Sequence, residues 1–249
     1  MYSWNFKKNQ ETSYDKFTFN KNISVDIKKF KYPNSNNFEI SDVKLNISKG
    51  QKIGIIGPSA SGKSTVVEIL CGISEQPKGS ITVDDKSIFS NLRGWQKLIG
   101  LVPQKIFILD ESLRNNILFG LDNKKYKDDQ IISMIKKINL EILLKRLTGG
   151  LDGNLGEEGV NLSGGEIQRI GLCRSMIYDP EILFLDEATS SLDTNTESQI
   201  LDELGIFKEK TIISIAHRIN TLKNCDKIYR LNNGKVVDEG SFDKFKMQN

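Results

Sequence analysis

Residues 57–64 read Gly57-Pro58-Ser59-Ala60-Ser61-Gly62-Lys63-Ser64, and this stretch decides the fold of the chain. It follows the apolar run 53–56 and precedes the run 65–70, so it predicts a strand, a Gly-rich turn and the start of a helix. In such a turn backbone N–H groups bind phosphate oxygens, Lys63 adds a positive charge, and Ser64 offers a hydroxyl to Mg²⁺. A Gly/Ser-rich connecting loop is the alternative, but the spacing of both glycines, the lysine and the serine favours a nucleoside triphosphate site.

The composition limits the classes of partner. The 249 residues carry 35 Lys and Arg against 32 Asp and Glu, a net charge of +3, which gives little support for a nucleic-acid groove or a polybasic membrane surface. Cys71, Cys173 and Cys225 are odd in number and lack metal-site spacing, so we expect reduced, buried thiols in the cytosol. No run approaches the ~20 apolar residues of a membrane span, and the start lacks the apolar segment of a signal peptide, so we expect a chain that is soluble by itself.

The order of patterns along the chain predicts one α/β domain. Residues 1–16 are polar and aperiodic and are predicted to be a tail or linker, with the domain at 17–249. Alternating apolar residues in 17–47 and again in 79–85 predict an antiparallel β lobe near the N-terminus. Helical spacing in 128–147 predicts a helical subdomain, at approximately 112–178, inserted in the core.

Several apolar runs typical of buried strands end in polar, chemically competent side chains. The residues at or just beyond these ends are Lys63, Ser64, Gln104, Asp186, Glu187 and His217. Ligands bind at the carboxyl ends of parallel strands, so these side chains would surround one terminal phosphate if the strands were neighbours, but strand order cannot be inferred from the sequence. Taken singly, each has a simpler explanation: the acidic pair as a helix cap, Gln104 as a surface turn residue, and His217 as a hydrogen-bonded strand end.

An ordered set of motifs connects these features. The sequence Leu162-Ser163-Gly164-Gly165-Glu166 lies between the phosphate loop and the apolar strand that ends at Asp186-Glu187, and Ser191-Leu192-Asp193 and Ala216-His217-Arg218 follow. This set resembles the nucleotide-binding domain of an ABC transporter, over residues from about 23 to 245. The resemblance implies an α/β fold with a P-loop NTPase (RecA-like) core, an N-terminal antiparallel β lobe and an inserted α-helical signature subdomain.

The resemblance also implies a role for individual residues in an ATPase that works as a head-to-tail dimer. Nucleotide contacts are implied for Tyr32, which would stack on adenine, and for Gly57, Pro58, Ser59, Ala60, Ser61, Gly62, Lys63, Ser64 and Thr65. Catalytic roles are implied for Glu187, His217, Lys63 and Gln104, and Mg²⁺ binding for Ser64, Gln104 and Asp186. Residues Leu162, Ser163, Gly164, Gly165 and Glu166 would contact ATP held by the other subunit, and Asp193 would lie at the dimer seam.

Two positions depart from the common pattern of that family. Glu166 stands where glutamine is usual, and Ala60 stands where glycine or serine is more frequent. Neither change removes a ligand atom that these assignments require.

The segment 110–120 resembles exporter-type members of the family. We therefore expect an ATPase that powers export with a second ATPase domain and a transmembrane partner that this sequence does not contain. It would be cytoplasmic and peripheral on the inner face of a cell membrane, without a nucleic-acid partner. The alternatives are a soluble ATPase clamp on nucleic acid or ribosomes, which the single phosphate loop and the small net charge disfavour, and a regulatory module without turnover, which Lys63, Glu187 and His217 disfavour. The sequence does not name a cargo.

Overall fold

A computed structural model describes residues 17–33, 38–187, 205, 207 and 209–247, and its strands form two sheets. The first contains β1 (Asn22–Phe30), β2 (Ile40–Ser48), β4 (Lys78–Val83) and β5 (Lys86–Ser87), in the order β2-β1-β4-β5. The second contains β3 (Lys52–Ile56), β6 (Ile99–Val102), β7 (Ile182–Asp186), β8 (Thr211–Ala216), β9 (Lys227–Asn232) and β10 (Lys235–Gly240), in the order β10-β9-β3-β8-β7-β6. The predicted tail at 1–16 lies outside the described residues.

Seven α-helices lie within the described part of the chain. They are α1 (Lys63–Leu70), α2 (Leu92–Gln96), α3 (Leu113–Ile117), α4 (Asp128–Lys137), α5 (Glu141–Arg146), α6 (Gly164–Met176) and α7 (Phe242–Lys246). Of these described helices, α1 and α7 lie outside the long connection that runs from β4 to β7, and the other five lie within it. The mixture of sheets and helices confirms the predicted α/β class.

The small sheet is antiparallel, as the alternating pattern predicts. Strand β1 lies in its middle, with Val25 opposite Leu45 on one side and opposite Ile81 on the other, and all three side chains are buried. The polar residues that alternate with them along β1 and β2 lie on the other face of the sheet and are partly or fully exposed. The predicted N-terminal β lobe is thereby confirmed.

The large sheet places the polar strand ends at one edge. Strands β3, β8, β7 and β6 are parallel neighbours, paired for example at Ile55–Ile215 and Phe184–Ile213. They carry near-continuous buried apolar runs because both faces of a parallel sheet are covered. The strand order, which the sequence does not reveal, brings the four carboxyl ends side by side.

The helices α3 to α6 share an apolar core with that sheet. Side chains from these helices form one buried cluster with β6, β7 and β8, including Ile117, Ile135, Leu143, Ile170, Val102, Leu183 and Ile212. The helical segment therefore packs against one face of the sheet instead of having a separate core. Its limits at about 112 and 178 stay a prediction.

The Gly-rich stretch 149–165 connects α5 to α6 and contains short turns. Single 3₁₀ turns form at Gly150–Asp152 and Glu157–Gly159, and Leu151 and Leu155 are buried. Glycines allow the positive φ values that such consecutive turns need, as at Gly149, where φ is 94°. Both leucines belong to the apolar core that α3 to α6 share with the large sheet.

The sequence predicts buried thiols and no membrane-spanning segment. Cys71 and Cys173 are buried, but Cys225 is only partly buried, and all three are free thiols. Among the residues that the structure describes, no helix is both long and apolar enough to cross a bilayer.

Asp84 ties the start of the domain to the small sheet. Its carboxylate accepts backbone N–H bonds from Asn20, Lys21 and Asn22 at 2.6, 2.8 and 3.0 Å. Burial opposes ionisation, but the N–H donors stabilise the carboxylate more, so the pKa of Asp84 lies below its ordinary value. A group whose pKa is lowered by folding stabilises the protein above its unfolded pKa, and this contribution is lost as the pH falls through the folded pKa.

We expect Asp84→Asn to lower the free energy of unfolding at pH 7 by about 1 kcal/mol, because the amide keeps one acceptor oxygen and loses the charge. The difference from the parent should shrink below about pH 4, where the parent carboxylate is protonated as well. Urea unfolding of parent and variant at pH 7 and below about pH 4 measures this difference in the free energy of unfolding. The control is Asp85→Asn, which removes the same charge from the exposed next residue, where φ is also positive at 66°. Equal losses in the two variants would show that the N–H contacts are not the cause.

Candidate active site

The phosphate loop connects β3 to α1 with a close backbone approach. A Cβ on Gly57 would lie 2.2 Å from the carbonyl oxygen of Leu231, so only glycine fits there. Ala60 and Gly62 have left-handed backbones, with φ of 61° and 104°. Ala60 is exposed and occupies a conformation that costs a non-glycine residue roughly 1–2 kcal/mol, because its Cβ lies close to the backbone. These turns direct the loop around the N-terminus of α1.

Lys63 begins α1, and its side chain is only 4% exposed. Its ammonium group donates to the carbonyl oxygens of Gly57 and Pro58, at 3.0 Å each. Burial lowers the pKa of Lys63, while the nearby Glu187 and Asp186 carboxylates favour the charged form. The loop therefore holds a positive charge at its centre.

Two polar oxygen atoms in and beside the loop fit phosphate and metal chemistry. The hydroxyl of Ser61 is buried and has no hydrogen-bond partner within the described chain. The hydroxyl of Ser64 donates to Asp186 Oδ1 at 3.0 Å, and burial raises the pKa of Asp186. A buried unsatisfied hydroxyl is costly, so an oxygen-rich ligand would be stabilised at Ser61.

Glu187 lies at the centre of the polar side chains. Gln104 Nε2 donates to its Oε2 at 2.7 Å, and His217 Nε2 lies 2.6 Å from its Oε1. Lys63 Nζ lies 3.8 Å from the same Oε1, and the Glu187 side chain is 7% exposed. The backbone of Glu187 is left-handed, with φ of 49°, directly after β7. Four neighbouring strand ends thus bring one carboxylate, one amide, one imidazole and one ammonium together.

A cavity of about 400 Å³ opens beside this cluster. It is lined by Phe38, Ser59, Ala60, Ser61, Gly62, Lys63, Ser64, Thr65, Gln104, Glu187 and His217. Gly57 and Pro58 contribute through the carbonyl oxygens that accept from Lys63. Asp186 is not a lining residue, but its carboxylate accepts a hydrogen bond from Ser64, which lines the cavity. Most of the predicted nucleotide and catalytic residues therefore meet at one place, and their individual roles stay predictions.

Phe38 lines this cavity, whereas the family resemblance implied an aromatic contact from Tyr32. The Tyr32 hydroxyl contacts the Glu68 carboxylate on α1, and its ring packs edge-on against Phe30, with centroids 5.0 Å apart. Tyr32 is not among the cavity-lining residues, and adenine stacking by it stays a prediction. The signal for Phe38 in the sequence was its place as the first apolar residue after the 33–37 turn.

The predicted signature residues Leu162, Ser163, Gly164, Gly165 and Glu166 form the entry to α6. Ser163 is the N-cap, with its side chain accepting from the backbone N–H of Glu166 at 3.3 Å. Ser163 and Gly164 are exposed, and none of the five residues lines the phosphate-loop cavity. Asp193, the predicted seam residue, lies outside the described residues.

Arg174 joins α6 to the segment that follows Gln104. Its Nε donates to the carbonyl oxygen of Asn116 at 2.9 Å, and its two terminal nitrogens lie 3.1 and 3.2 Å from that of Phe107. The fully buried amide of Asn116 in turn donates to and accepts from Leu109 at 3.1 and 2.9 Å. Arg174 therefore connects α6 to the backbone at Phe107, three residues after Gln104, and at Asn116.

Comparisons with known proteins match this arrangement. A family model described as "ABC transporter" matches residues 40–190. A putative export ATP-binding/permease protein of Rickettsia conorii is 38% identical over 224 residues, which is 88% of this chain and 38% of that protein. ABC transporter B family member 14 of Arabidopsis thaliana is 37% identical over 215 residues, 85% of this chain and 17% of that protein.

A solved structure extends the similarity to the fold. The structure of a bacterial Atm1-family ABC exporter with ATP bound superposes with a TM-score of 0.83 and 30% identity, covering 94% of this chain and 41% of that one. This chain spans less than half the length of each of these proteins.

Proposed function

This chain belongs to the ABC transporter family as its ATP-binding, ATP-hydrolysing domain, and we propose on that premise that two such domains form a head-to-tail dimer that drives export across a membrane. The observation that carries ATP hydrolysis in this proposal is the Glu187 carboxylate, held between Gln104, His217 and Lys63 beside the phosphate loop.

Hydrolysis of a terminal phosphate requires positioning and charge stabilisation more than covalent chemistry. Lys63 and the N–H groups at the start of α1 would bind the phosphate oxygens, with the buried Ser61 hydroxyl as a further contact. Glu187 would accept a proton from the attacking water, and His217, 2.6 Å from Glu187, would orient that carboxylate and contact the terminal phosphate. Gln104 donates to the second carboxylate oxygen.

The oxygen atoms near Ser64 fit Mg²⁺ bound together with phosphate. Ser64 Oγ and Asp186 Oδ1 lie 3.0 Å apart, and the side-chain oxygen of Gln104 would be a third ligand of the metal. Within the described residues there is no group of three or more His, Cys, Asp or Glu side chains that would hold a metal by itself. Mg²⁺ commonly takes few protein ligands and completes its shell with phosphate and water, and there it neutralises phosphate charge.

The dimer accounts for the separation of the signature from the phosphate loop. Ser163 and Gly164 are exposed at the start of the 13-residue helix α6, away from the cavity of the same chain. A helix start of this kind stabilises an anion, and ATP held by a second subunit would supply one. We place Asp193 at the seam of this dimer.

Export through a transmembrane partner is supported by the relatives. The Rickettsia conorii protein is named as an export ATP-binding/permease protein, and this chain matches only 38% of it. We propose that the permease function belongs to a membrane-spanning partner, and that this domain lies on the cytoplasmic face of the membrane. The relatives named above include no clamp on ribosomes or nucleic acid, and the net charge of +3 gives that alternative no support.

The partner is identified by purifying the tagged chain from detergent-solubilised membranes of its own cell. We expect an integral membrane protein, or a membrane-spanning part of the same polypeptide, in equimolar amount, with ATP hydrolysis retained in the complex. The control is the same purification from the nuclease-treated soluble fraction. Recovery of ribosomes or nucleic-acid-binding proteins alone would contradict export and favour the clamp.

A further inference from the structure

Glu166 uses the donors of Ser163 within the same helix start. Its Oε2 accepts from the backbone N–H of Ser163 at 2.8 Å and from the Ser163 hydroxyl at 3.0 Å. The backbone N–H of Glu166 donates back to the Ser163 oxygen. The Glu166 carboxylate therefore occupies donors that a phosphate would need, and it adds a negative charge to the same turn.

Arg146 supplies a positive charge to this turn from the end of α5. Its Nη2 lies 3.2 Å from Glu166 Oε1 and 3.3 Å from Oε2, and it also donates to the carbonyl oxygen of Asn161 at 3.1 Å. The Glu166 side chain is 16% exposed and that of Arg146 is 51% exposed. Glutamine at position 166 would need no such partner, because its amide carries no charge.

We propose that Arg146 is a positioning residue that neutralises Glu166 and so allows the Ser163 turn to accept a phosphate of the nucleotide bound by a second subunit. The inference rests on the proposed head-to-tail dimer. Arg146 contacts both carboxylate oxygens, and drawing the carboxylate towards the guanidinium releases the Ser163 hydroxyl for a new acceptor. Without Arg146 the turn would present the negative charge of Glu166 to an incoming anion without its guanidinium partner.

The alternative is a purely structural role, in which Arg146 only holds the loop before α6 through Asn161. The two roles differ in their dependence on Glu166. A structural contact with Asn161 is lost in Arg146→Gln whatever residue stands at 166. A charge-neutralising contact matters only when position 166 is charged.

The test measures the ATP concentration that gives half-maximal hydrolysis. We expect Arg146→Gln to raise it about fivefold, the size of a charge pair at a partly exposed site, and to change it less than about twofold when Glu166→Gln is also present. Arg146→Lys, which keeps the charge, should stay within about twofold of the parent. The control is Lys145→Gln, which removes an exposed positive charge one residue earlier on α5.

A fivefold effect of Arg146→Gln that persists with Glu166→Gln would overturn the inference, and so would no effect in either background. Should Glu166→Gln itself slow turnover, the parent, Arg146→Gln, Glu166→Gln and the variant with both changes are compared by ATP-driven dimerisation in a Glu187→Gln background, measured by light scattering. Ser163→Ala separates this inference from the proposed dimer. Loss of hydrolysis with Ser163→Ala, but none with Arg146→Gln, leaves the dimer standing and rejects the role of Arg146.

Discussion

Glu187→Gln is expected to reduce ATP hydrolysis about a thousandfold while ATP binding is retained. A positioned general base contributes roughly 10²- to 10⁴-fold to a rate, and an amide cannot accept the proton of the attacking water. The substitution is close to isosteric, so Gln104 still has an oxygen to donate to. It also removes the negative charge that lies 3.8 Å from Lys63, which leaves the ammonium group available to phosphate.

The variant should therefore accumulate as an ATP-bound dimer. Phosphate release measures turnover, a fluorescent ATP analogue measures binding, and light scattering measures the mass of the species with and without ATP. Glu75→Gln is the matched control, because it makes the same change at an exposed position just after α1. Turnover close to that of the parent would remove Glu187 from its assigned role, whereas loss of binding together with turnover would indicate damage to the loop.

The parts of the site that the sequence predicts are those set by short stretches of chain. The phosphate loop and the strand ends at Asp186 and His217 depend on local patterns of apolar residues, glycine and turns, and the structure has them as predicted. Their convergence depends on the order β3-β8-β7-β6, which brings together residues more than 150 positions apart. A single sequence contains no signal for that order.

The sequence also does not predict which side chains from distant parts of the chain contact each other. Arg146 contacts Glu166, 20 positions later, because α5 ends beside the start of α6. The pattern of apolar residues along the sequence does not predict this contact. Phe38 lines the cavity and the Tyr32 hydroxyl contacts Glu68, and neither contact follows from a local pattern in the sequence. The Gly-rich stretch contains buried turns because Leu151 and Leu155 find space in a core that other segments build.

The head-to-tail dimer is tested with two substitutions, placed either in different subunits or in the same subunit. We expect the two placements to give very different rates of ATP hydrolysis. Lys63→Ala should abolish nucleotide binding at its own loop, since it removes the buried ammonium that the Gly57 and Pro58 carbonyls hold in place. Ser163→Ala should remove a donor from the signature that completes a site. Mixed dimers are prepared with two different tags, so that each substitution is assigned to a known subunit.

The decisive measurement is the ATP hydrolysis rate of two such dimers. With Lys63→Ala in one subunit and Ser163→Ala in the other, both changes fall in one composite site, and we predict up to about half the parent rate from the intact site. With both changes in one subunit and none in its partner, each site carries one change, and we predict a rate about a hundredfold lower. The reverse order, with the rate retained only when both changes share a subunit, would contradict a site built from two chains.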